Sequence, residues 1–164
     1  MLEDLTGAHF YGMYLGGKKI GWAKTEFALV SDGGETRWRS SFEDRIQTLF
    51  YGKLETWSNE SQWDFDAQEP FALRKVRFFG SNDTYSYKAV LTRQQDGSFL
   101  AVIRSGNRTI QKTLPAFEFT LADELSDALW IRQGPKVGDV NHTFGFGKRS
   151  RDSKLVFLVL WGIS

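Results

Sequence analysis

The sequence predicts a mainly β (α+β) fold: one large, curled antiparallel sheet, a half-barrel meander, with one late helix at about 121–133. Three observations carry that expectation. Turn signals recur at short intervals, apolar residues between them alternate with period two, and only one segment carries helical spacing. The chain has 164 residues, enough for a single β-rich domain over 1–164 with a buried core.

The turn signals are Gly16-Gly17, Asp32-Gly33-Gly34, Gly80-Ser81-Asn82-Asp83, Asp96-Gly97 and Ser105-Gly106-Asn107. Glycine supplies the positive φ of tight hairpins, and Asn and Asp tolerate it best among the rest. Between the turns, Trp38, Phe42 and Ile46 share one parity, while Arg37, Arg39, Ser41, Glu43, Arg45 and Gln47 fill the other. That pattern predicts a strand with one buried and one wet face. Tyr85, Tyr87, Ala89 and Leu91 repeat it, and Phe99, Ala101 and Ile103 continue it. The helix opens at Thr120 as cap, with Asp123 three residues on and Leu121, Leu125 and Leu129 at helical spacing. It closes at Gly134-Pro135. Two further strands are expected at 139–146 and 154–161. A sheet of eight to ten twisted strands must curl, which creates an inner face for the helix, a ligand or a neighbouring domain to fill.

Composition excludes several function classes. Lys+Arg 21 against Asp+Glu 20 gives a net charge of +1, so no bulk basic surface speaks for nucleic acid. The basic groups at Arg74-Lys75-Val76-Arg77 and Lys148-Arg149-Ser150-Arg151 read as a strand face and a charged loop. The chain contains no cysteine and two histidines, His9 and His142. Disulfides, thiolate metal sites and a cysteine nucleophile are therefore ruled out, and neither a cofactor nor a metal is expected. The longest apolar run, 155–161, is well short of the ~20 residues of a spanning helix, and the N-terminus lacks the pattern of an export signal. The end at Gly162-Ile163-Ser164, just after an apolar strand, suggests an N-terminal piece of a longer protein.

Two constellations invite a functional reading. Asp64, Asp66 and Glu69 carry carboxylates at a spacing that would suit acid and nucleophile on a glycosidic bond. Their order resembles the E-x-D-x-x-E strand of jelly-roll β-glucanases, with Asp64 one methylene shorter than that pattern requires. The plainer reading is solvated strand-face charge running into a turn at Pro70. The second is a set of indoles, Trp22, Trp38, Trp57 and Trp63, which could line a pocket for a glycan or an acyl chain, or could simply build the core.

The opening Tyr11-Gly12-Met13-Tyr14-Leu15-Gly16-Gly17-Lys18-Lys19-Ile20-Gly21-Trp22 resembles the first hairpin of the β-rich domain found N-terminal to the catalytic part of bacterial transglutaminase-like proteins. Lys136-Val137-Gly138-Asp139 is similar to that family's K-P-G-D turn, with Val137 in place of proline. The resemblance implies a non-catalytic accessory domain, because the family's Cys-His-Asp machinery lies in the following domain. It also implies a periplasmic or cell-envelope setting, and partners in the following catalytic domain or another protein. In shape alone, the expected sheet resembles the half-barrel of periplasmic lipoprotein carriers, so an apolar ligand on the inner face is the alternative expectation.

Overall fold

The computed structural model describes residues 2–126. They form one open eight-stranded antiparallel sheet in sequence order, β1 (Gly7–Leu15), β2 (Lys18–Asp32), β3 (Glu35–Phe50), β4 (Lys53–Asp66), β5 (Leu73–Ser81), β6 (Ser86–Arg93), β7 (Phe99–Ser105) and β8 (Arg108–Leu114). A short 3-10 turn at Glu3–Leu5 precedes the sheet and helix α1 (Leu121–Glu124) follows it. The meander expected from the turn spacing is the observed one. The helix begins at Leu121 as expected, where Asp123 Oδ2 accepts from both the backbone N–H and the hydroxyl of Thr120. Its continuation to 133, the strands at 139–146 and 154–161, and His142 lie outside the described residues.

Directly paired residues of antiparallel strands share a face, so register sorts the side chains into two sets. The inner face carries Phe27, Trp38, Trp63, Phe65, Val76, Leu91, Ala101 and Leu114 in successive strands. Against them pack Leu121 from α1 and Leu125 just after it, Phe117 and Phe119 from 115–120, and Leu2 and Leu5 from the N-terminal turn. Phe27 stacks on Trp38 at 4.9 Å, and Phe99 on Phe117 at 4.4 Å. Leu73 N–H donates to the Phe119 carbonyl and Leu121 N–H to that of Phe71, which ties the covering segment to the start of β5.

This cover occupies only one end of the sheet. Strands β2, β3 and β4 are 15, 16 and 14 residues long, whereas β5 to β8 are 9, 8, 7 and 7. At the far end β4 loses its β5 partner above the pair Ser58–Ser81, so five residues of β4, 53–57, rise beyond it. That is a projection of about 16 Å at ~3.3 Å per residue.

One turn expectation needs correction, and one turn carries no signal in the sequence reading. Gly80 is not in the β5–β6 turn. It is a buried strand residue, and a Cβ there would overlap the Tyr87 ring that lies across it. The turn follows at Asn82, whose Oδ1 accepts from the backbone N–H groups of Thr84 (3.0 Å) and Tyr85 (2.8 Å). Between β3 and β4 the chain reverses at Tyr51-Gly52, both at positive φ. No Gly-Gly or Asn-Gly pair marks that turn, and the tyrosine occupies the left-handed region alongside a single glycine.

Candidate functional site

The carboxylates on β4 are brought together with cations, not with one another around a cleft. Asp64 lies on the outer face and is 2% exposed. Arg39 grips it twice, Nε to Oδ1 at 2.7 Å and Nη2 to Oδ2 at 3.1 Å. Arg77 Nη1 donates to Oδ2 at 2.9 Å, and Arg37 Nε lies 3.4 Å from the same oxygen. Burial by itself would raise the proton affinity of Asp64, but the Arg39 and Arg77 guanidiniums outweigh it and hold the carboxyl below its ordinary value. The expectation of a solvated charge at Asp64 is therefore corrected: it is the centre of a cross-strand ion-pair cluster. Asp66 pairs with Arg74 at 3.2 Å, and Glu69 is exposed in the loop after β4. A glycosidic acid needs an open approach and a raised proton affinity. Asp64 has neither.

The four tryptophans divide between faces. Trp22 pairs with Arg45 on the outer side. There it lines an open cavity of about 330 Å³ with Lys19, Ile20, Gly21, Arg45 and Gln47. Trp38 and Trp63 are buried in the core on the inner face. Trp63 meets Phe78 edge-on at 5.4 Å and donates from Nε1 to Ser61 Oγ at 3.3 Å. Trp57, half-buried, lies on the inner face beyond the covering segment, level with Ile46.

Around Trp57 the inner face presents a different chemistry. One register line crosses the sheet through Ala23, Asp44, Asn59, Gly80, Tyr87 and Ser105. Asp44 is 8% exposed, and its Oδ1 accepts from Asn59 Nδ2 at 2.9 Å. Among the described residues it has no cationic partner. The neighbouring positions on this face are Phe42, Ile46, Trp57 and Ser61. Tyr87 reaches toward the carboxylate across Gly80, and Tyr85 stands beside it at 6.1 Å between ring centroids. Burial, with the charges of Tyr85 and Asp44, raises the Tyr87 phenol above its ordinary value. The phenol therefore stays protonated, with an O–H available to an acceptor. Sequence reasoning passed over Asp44, although its parity with Trp38, Phe42 and Ile46 places a carboxylate on an apolar strand face.

A second carboxylate on this face, Glu124 of α1, accepts from Ser40 Oγ at 2.8 Å. Burial pushes it up to about 6, against the opposing pull of that hydrogen bond. Phe42 separates Ser40 from Asp44 along β3. No group of metal-ligating side chains occurs among the described residues, and none of the helices there is long and apolar enough to cross a membrane. Comparison with protein-family models, curated proteins and solved structures finds no match to the chain.

Proposed function

We propose that this chain is a non-catalytic interaction domain whose working surface is the uncovered end of the inner face, around Asp44. In the setting implied by its opening hairpin, it is an accessory domain of a bacterial transglutaminase-like protein. The observation that supports the reading is a buried carboxylate without a cation on an aromatic face. Burying an ionised group is costly unless something pairs with it. Here Asn59 satisfies one oxygen, and Phe42, Trp57, Tyr85 and Tyr87 supply rings of the kind that attract cations. The partner that fits is an extended peptide segment carrying a lysine or arginine between apolar side chains.

The test is a tryptophan-fluorescence titration with such a peptide, against a control in which the basic residue is glutamine. Wild-type protein should bind the basic peptide saturably, and Asp44→Asn should weaken it at least tenfold while Asp66→Asn leaves it unchanged. Equal binding by Asp44→Asn would sink the reading. An apolar carrier is the second reading, supported by the aromatic character of the same surface. Native mass spectrometry followed by denaturation separates the two, because a co-purifying lipid at near-unit stoichiometry would favour the carrier.

A further inference from the structure

The two hairpins that project beyond the rest of the sheet carry apolar side chains into solvent. On β1–β2, Tyr14 and Leu15 flank the turn, with Leu15 67% exposed; on β3–β4, Leu49 is 70% exposed and Leu54 is exposed as well. Register makes the tips level. Gly21 of β2 pairs with Ile46 of β3, and from that pair β2 rises three residues to Lys18 while β3 rises four to its end. Exposed leucines at two adjacent tips serve no purpose in the fold, whose core lies at the other end of the sheet.

The charge around the tips is mainly positive. Lys18, Lys19 and Lys53 stand there against one acid, Glu55, which pairs with Thr48 on the inner-face parity, away from Leu49 and Leu54. Just below them, where β2 and β3 part above the Gly21–Ile46 pair, lies the cavity of about 330 Å³ lined by Lys19, Ile20, Gly21, Trp22, Arg45 and Gln47. Its walls combine two cations, an amide and an indole, without a carboxylate. The nearest acids on the outer face, Glu26 and Glu43, lie further down the strands toward Lys24, which Glu26 pairs at 2.6 Å. Gly21 is obligatory for this geometry, since a Cβ there would overlap the Arg45 carbonyl oxygen.

We infer that the paired tips dock on an anionic phospholipid surface, with Leu15, Leu49 and Leu54 entering the headgroup–acyl boundary and the Lys19–Arg45 cavity receiving a lipid phosphate. Apolar insertion and attraction of clustered lysines to anionic lipid act together at such interfaces, each weak alone. Tyr14 and Trp22 stand at the depth where amphipathic rings settle between water and hydrocarbon. The inference is independent of the Asp44 surface, which faces the other way.

Vesicle flotation of the whole chain tests it, using phosphatidylcholine alone and phosphatidylcholine mixed with phosphatidylglycerol. The chain should float with the mixed vesicles, release as salt rises, and shift the Trp22 emission to the blue. Leu15→Ser with Leu49→Ser should lower vesicle affinity at least tenfold without moving the unfolding midpoint, since both side chains are exposed. Lys19→Glu with Arg45→Glu should abolish the preference for phosphatidylglycerol. Failure to float with the mixed vesicles, or flotation untouched by both double variants, overturns the inference. A response to inorganic phosphate without flotation would also overturn it, leaving a soluble anion as the occupant.

Discussion

The two ends of the inner face are built from the same alternating strands yet do opposite things. At the covered end, Trp38, Trp63, Phe65, Val76 and Leu91 meet α1 and the 115–120 segment, and water is excluded. At the uncovered end the same parity on β3 and β4 carries an exposed Phe42, half-buried Trp57 and Asn59 and a buried Asp44, so a carboxylate replaces an aliphatic side chain. Strand pattern alone does not decide which end becomes core. What decides it is the second layer, which packs on Trp63, Phe65, Val76 and Leu91 and stops short of the Asp44–Asn59–Gly80–Tyr87 line. The outer face offers another contrast: its buried carboxylate, Asp64, is surrounded by guanidiniums, whereas Asp44 has only an amide.

Substitutions should separate the two ends sharply. Phe65→Ala, at a fully buried position, should destabilise the fold by about 3–5 kcal/mol in urea unfolding, the range for a large aromatic lost from a packed core. Asp64→Asn should cost about 3 kcal/mol, because it leaves Arg37, Arg39 and Arg77 crowded without their shared anion. Asp66→Asn should change little, since Asp66 and its partner Arg74 are 40% and 41% exposed, where solvent screens the pair. A loss as large as that of Asp64→Asn would refute the assignment of the cluster's centre.

Glu124 gives a pH-dependent handle on the cover itself. Its carboxyl is raised from 4.5 to about 6 in the folded chain, so the folded state binds the proton more tightly than the unfolded one. Its penalty is absent below 4.5, grows as pH rises through about 6, and is complete above that, at roughly 1–2 kcal/mol. Glu124→Gln should therefore be more stable than wild type near about pH 8 and no more stable near about pH 4. Asp64 contributes in the opposite direction, with stability lost as pH falls toward and below the ordinary carboxylate range. At the uncovered end, Trp57→Ala should cost no more than about 1 kcal/mol, far below the loss at Phe65. A core-sized loss there would erase the distinction between the ends.

Much of this architecture was legible in the chain. Gly16-Gly17 and Gly33-Gly34 mark their hairpins because both residues of each pair adopt positive φ. Ala89, Leu91, Phe99, Ala101 and Ile103 are buried as their alternation implies. Three features were not legible, each for a physical reason. The partners of Asp64 lie 25 and 13 residues away, and only the pairing of β3, β4 and β5 makes them neighbours. Gly80 resembles a turn glycine, but its role is to leave room for a ring two residues into β6. Asp44 reads as one polar residue among many on β3 until register places it opposite Asn59.

The central claim is that one end of the inner face folds the chain and the other end binds. Backbone chemical-shift mapping during titration with the basic, apolar peptide tests this most directly. The account predicts shifts concentrated at Phe42, Asp44, Trp57, Asn59 and Tyr87, with Phe65, Leu91 and Ala101 unmoved. Shifts centred on Arg37, Arg39 and Arg77, or spread evenly through the core, would contradict it.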